Sequence, residues 1–162
     1  MELSSTEKDE VRKIRDRALD LISERNQYDI SERRALESLK DGSLLDYLKQ
    51  SFDSVRSGLN AFDDGPFMTR FMEDDLPGGV ISLKDEVIHF DLVSNPVKIV
   101  FKYPGEDVYI SELEHQVFYH PADERPAWYS SVERYHGKTS HITTNSLALR
   151  VFKWLTENYR TH

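Results

Sequence analysis

Apolar residues in the first sixty positions recur every three or four places, the period of a helix with one buried side. Val11, Ile14, Ala18, Leu21 and Ile22 form the first stripe, and the positions between them are densely charged. Ser4 and Glu7 stand just ahead of it, at the spacing where each side chain can satisfy the other's orphan backbone N–H. Asp29 and Glu32 repeat that spacing and predict the start of a second helix. It would carry Ala35, Leu36 and Leu39 and stop at Gly42, since glycine is favoured just past a helix end. A third helix is expected from Ser43, with Leu44, Leu45, Leu48, Phe52, Val55 and Leu59 on one side. Joints this short predict helices packed against one another.

The segment 61–79 differs in character. Asp64 and Pro66 predict a short helix there, because proline suits the first helical position. Phe67 and Phe71 would share one of its faces, with Met68 and Met72 on the next. After Pro77-Gly78-Gly79 the period falls to two, with apolar runs at Val80–Leu83, Val87–Val93, Val97–Tyr103, Val108–Ile110 and Val117–Tyr119. The connections between these runs are mostly tight turns, and strands so joined are antiparallel, because parallel ones need long crossovers. Residues 120–142 show no clear period, and a loop of that length is commonly functional. A closing helix begins at Thr143 or Thr144 and carries Leu147, Val151, Phe152, Leu155 and Tyr159.

The expected fold is α+β in one domain, 1–162. Helices occupy 1–60, a four- to five-stranded antiparallel meander 80–119, then a long loop and a C-terminal helix at 143–160.

Composition narrows the classes of function. A hydrophobic content of 38% is enough for a packed core, so the chain is not disordered as a whole. There is no Cys, which excludes disulfides, thiolate metal sites and cysteine nucleophiles. The opening residues are charged from Glu2 onward, without the apolar centre of a secretory leader, and no window suits a membrane span. Cytoplasm is the expected location. Net charge is −8 and uneven: residues 1–60 carry 13 acids and 11 bases, 61–114 carry 12 and 4, and 115–162 carry 4 and 6. So acidic a middle repels phosphates and argues against nucleic acid. The Ser43 helix tells against a helix-turn-helix reader as well, since its first twelve residues hold two Asp and one Lys.

Candidate chemistry lies in two places. His115 and His120, then His136 and His141, form two His-x4-His pairs around the long loop, with Glu112 and Glu114 beside the first. Imidazoles and carboxylates are the ligand set for a divalent transition metal when thiolates are absent, and an open metal position could activate water for hydrolysis. Residues five apart point to opposite sides of a strand, so convergence would require loop geometry.

The second place is acidic and aromatic: Asp63, Asp64, Asp74 and Asp75 flank Phe67 and Phe71, and the long loop carries Trp128, Tyr129 and Tyr135. Tyr and Trp are the usual anchors of protein interfaces, and acidic side chains suit a basic partner. Marks of nucleotide cradles and hydrolase elbows are absent from the sequence. The expected function is therefore a small acidic protein–protein interaction module (adaptor, inhibitor or regulatory subunit). It would use no cofactor and no catalysis of its own, and would bind a protein with a basic surface. A metal-dependent hydrolase built on the 115–141 cluster is the alternative.

Overall fold

A computed structural model describes residues 1–61, 65–73, 76–132 and 140–160. Two helices, rather than the expected three, precede the sheet. Helix α1 runs unbroken over Ser5–Asp41, 37 residues. The break expected at Asp29 does not occur, because no Gly or Pro interrupts the segment. The Glu32 carboxylate, instead of capping a new helix, accepts the Val97 N–H at 2.9 Å.

Gly42 ends α1 with φ of +84°, a left-handed turn that costs a side chain dearly and glycine little. Helix α2, Ser43–Asn60, starts at once. Asp41 braces the joint by accepting the Ser43 N–H at 2.8 Å, and hydrogen bonds from Ser43 hold the Asp41 carboxyl below its ordinary range.

The short helix expected near Pro66 is instead strand β1, Phe67–Met72. Asn60 sets its start, donating Nδ2–H to the Phe67 carbonyl at 3.0 Å and accepting the Phe67 N–H at 3.1 Å. Phe67, Thr69 and Phe71 then alternate with exposed Met68 and Arg70, a period of two that the spacing of the two phenylalanines conceals. The strands that follow are β2 (Gly78–Leu83), β3 (Glu86–Val93), β4 (Lys98–Lys102), β5 (His115–Phe118), β6 (Ala127–Ser130) and β7 (Ile142–Thr143).

All are antiparallel and neighbours in chain order, giving seven strands among the described residues where four to five were expected. The additions are β1 at one edge and β6 and β7 at the other. The 120–142 segment is thus partly sheet: Ala127 faces Phe118 and Thr143, and Trp128 faces Val117 and Ile142. The expected strand at 108–110 shrinks to one bridge, Tyr109 to Lys102.

Helix α3, Thr144–Glu157, is capped by Thr143, whose Oγ1 accepts the Ser146 N–H at 3.1 Å. Helices α2 and α3 lie together against one side of the sheet. Phe52 of α2 stacks on Phe90 at 6.2 Å and meets Phe152 of α3 at 5.8 Å, while Phe152 packs edge-on to Phe67 at 5.3 Å. Ile81, Ile88, Phe90, Leu92, Ile99, Phe101 and Trp128 complete this buried layer. Gly79 sits opposite Phe90, and a Cβ there would come within 2.5 Å of the Phe90 ring and 2.6 Å of the Arg70 carbonyl. Among the described residues, no helix is long and apolar enough to cross a membrane.

Candidate interaction surface

Helix α1 has two unlike halves. Its C-terminal half is rooted in the domain: Ser31, Ala35 and Ser38 are buried. The Ser31 hydroxyl accepts the Tyr119 N–H at 2.8 Å, and the Tyr119 hydroxyl donates to Ser38 at 2.8 Å. Arg34 donates to the carbonyls of His120 and Asp123 at 3.0 and 2.9 Å, with its guanidinium 4.8 Å from the centre of the Tyr119 ring. Tyr28 stands at the edge of this root and accepts from Gln116 at 3.3 Å.

Before Tyr28 every residue of the chain is exposed. The segment from Ser5 to Asp29 is about 37 Å long at 1.5 Å per residue, and it projects as an arm. Its tip is closed by the expected capping box, Ser4 Oγ accepting from Glu7 at 3.1 Å and Ser4 N–H donating to the Glu7 carboxylate at 3.0 Å. Those bonds, the backbone one foremost, hold the Glu7 carboxyl below its ordinary range.

The stripe expected from the sequence lies along this arm, and it covers no core. Val11, Ile14, Leu21 and Ile22 are 51%, 67%, 48% and 58% exposed, whereas Ala35 on the rooted half is fully buried. Counted as a seven-residue repeat, Val11, Ile14, Ala18 and Leu21 hold first and fourth places. The same count reaches Tyr28, Ala35 and Leu39, where α1 packs on the domain, with polar Arg25 and Glu32 in the remaining two places. Arg15–Asp16 and Arg17–Glu24 pair at 3.6 and 3.8 Å. Such exposed pairs add little to stability. Helices in proteins draw most of their stability from packing an apolar side rather than from propensity, so this side gains from cover.

The residues singled out from the sequence lie elsewhere. Asp63, Asp64, Asp74, Asp75, Tyr135 and His136 fall outside the described residues. Phe67 and Phe71 were expected on a partner surface. Both turn to the core, Phe71 meeting Phe90 at 5.9 Å and Phe52 at 6.4 Å. Trp128 is fully buried and donates its Nε1–H to Thr144 at 3.0 Å, so in this fold it is a core residue. Tyr129, 6% exposed, lies edge-on to His141 at 5.5 Å.

The metal candidates are scattered among other roles. His115 is fully buried, its Nδ1 2.8 Å from the Leu113 carbonyl and its Nε2 3.4 Å from Arg150. His120 accepts the Ala122 N–H at 3.1 Å, and Glu112 accepts from the Trp154 indole at 2.8 Å. Glu114 pairs with Lys98 at 3.2 Å. His141 stacks flat on Phe118 at 4.5 Å, and burial of its ring, with His120 nearby, lowers its pKa below the ordinary value. No three His, Asp or Glu side chains gather for a metal among the described residues.

A cleft of about 840 Å³ opens between the α1–α2 joint and β3, lined by Leu39, Leu45, Pro77 and Leu92. Its charged lining residues, Lys40, Asp41, Asp46 and Glu73, are all exposed, so it lacks the convergent polar groups of a ligand site. The surface that sequence reasoning missed is therefore the stripe on α1, which was legible as a stripe but not as an uncovered one. The signal available was a heptad count that keeps its register from Val11 to Leu39, with Arg25 and Glu32 in two of its places, together with the absence of any helix-breaking residue between them. Compared with family models, curated proteins and solved structures, the chain matches none of them.

Proposed function

We propose that this chain is a protein–protein interaction module and that the α1 arm is its binding element. One observation carries the reading: a rigidly rooted helix presents Val11, Ile14, Leu21 and Ile22 to solvent along its outer half. A helix with an apolar stripe and charged flanks is the form in which helices enter grooves or pair with other helices. The acidic-aromatic segment remains a secondary contact in this proposal, restricted to its exposed residues such as Met68 and Leu76.

Photo-crosslinking in an extract of expressing cells tests it. A photoreactive residue replaces Leu21 on the stripe or Ser23 on the charged side. A discrete adduct from position 21 that position 23 does not give is the expected outcome. No adduct from either position would remove the arm as a binding element.

A further inference from the structure

We infer that the occupant of the α1 stripe is the α1 arm of a second copy of this chain, running antiparallel. The inference rests on the reading of the arm as a binding element and names its partner.

Charge along the arm is the first ground. Arg12–Arg17 holds four bases and one acid, whereas Asp20–Asp29 holds three acids and one base. An antiparallel neighbour sets the basic stretch of each helix beside the acidic stretch of the other, and a parallel neighbour sets like beside like. A surface that carries both halves of a complementary pattern on one helix fits its own copy. The arm as a whole is close to neutral, with seven acids and six bases over residues 5–30, so two arms approach without net repulsion.

Continuity is the second ground. The seven-residue count that seats Ala35 and Leu39 in the domain keeps its register outward to Leu21, Ala18, Ile14 and Val11, with polar Glu32 and Arg25 in two of the places between. On the arm its apolar places fill two heptads, residues 11–24, and Tyr28 takes the fourth place of the next. The small Ala18 leaves room for a large side chain from the facing helix, as in interdigitated seams.

Whole-molecule charge is the third. The remaining residues, 31–162, carry 21 acids and 15 bases. Antiparallel arms hold these acidic bodies at opposite ends, where parallel arms would press them together.

The test uses the purified full chain in sedimentation velocity at about 50 μM. A species of twice 18.9 kDa is expected. Ile14→Asp and Leu21→Asp should each return it to monomer while leaving the urea midpoint of the domain unchanged, because both side chains are solvent-exposed in the single chain. A dimer that persists in both variants overturns the inference.

Orientation is read from a nitroxide on Ser5→Cys, the chain having no cysteine of its own. Antiparallel pairing places the two labels at least about 30 Å apart, and parallel pairing under about 20 Å, at 1.5 Å rise per residue; the short distance overturns the inference. A monomeric chain overturns it too. If position 21 still crosslinks to a protein of another mass, the arm remains a binding element with a different occupant. Absence of both results removes the two readings together.

Discussion

Single side chains in this protein hold the long excursions of the chain together. Trp128 illustrates the division of labour: its ring fills the layer between sheet and helices, and its indole N–H is spent on Thr144, the first residue of α3. Replacing it with Phe removes both part of the filling and the hydrogen bond. A loss of about 2 kcal/mol is expected, read as a lower urea midpoint. His141 is exposed at the surface but partly covered by Phe118 and Tyr129, and a modest pH-dependent contribution is expected from it. Its folded pKa lies below the ordinary value because burial disfavours the charged ring and His120 adds like charge. The unfolded chain therefore takes up the proton first as pH falls. The stability that depends on neutral His141 is whole above the ordinary histidine pKa and declines as pH drops below it. Melting temperature should fall between about pH 7 and 5, and His141→Gln should flatten that slope. An unchanged slope would show that the ring is as free as in the unfolded chain.

Elements follow local chemistry where it is strong, and long-range pairing where it is weak. The Ser4–Glu7 box, the Gly42 stop and the Thr143 cap were legible because a side chain or a lone glycine reaches only its own backbone neighbours. The Asp29–Glu32 pair has the same spacing but no chain break before it, and Glu32 finds its donor in Val97, a residue 65 positions away. Phe67 and Phe71 suit one helical face or one strand face equally well; Asn60 and the neighbouring β2 decide for the strand. Ala127–Ser130 is too short to display a period, so β6 was invisible until its partners existed. The same ambiguity explains the site. An aromatic side chain reads identically whether it anchors a partner or a core, so Trp128 and Phe71 were assigned to a surface. The stripe on α1 was assigned to a core for the converse reason. A prediction belongs at this scale: Ser4→Ala removes one half of the box and frays the arm tip. Circular dichroism at 222 nm should lose a small helical fraction with no change in the urea midpoint. Because the Glu7 carboxyl is held below its ordinary value of 4.5, the wild-type tip keeps its box above that pH and loses it as pH falls through the depressed value. The variant should lack this acid step.

At the scale of the whole molecule, a body built of α2, α3, the seven strands and the root of α1 carries one long lever. The hydrophobic cluster that unites the body includes Ala35 of α1 and none of the apolar residues before it. Removing residues 1–26 should therefore leave the urea midpoint within error of the full chain, while abolishing any self-association of the kind inferred above. A large drop in the midpoint would mean that the arm folds back on the body in solution.

The lever also has a chemical weakness. Arg12, Lys13, Arg15, Arg17 and Arg25 all lie on it, exposed, in a helix whose backbone bonds open readily when nothing covers them. Arg34, nine residues past the last of these, is pinned by two carbonyls and an aromatic ring. Brief trypsin treatment should thus shave the chain to a fragment beginning near Asn26 and then stall. Once two arms cover each other, those same bonds become slow to cut. Susceptibility to a protease becomes a gauge of how much of the protein is paired, and in a cell it would clear the solitary chains first.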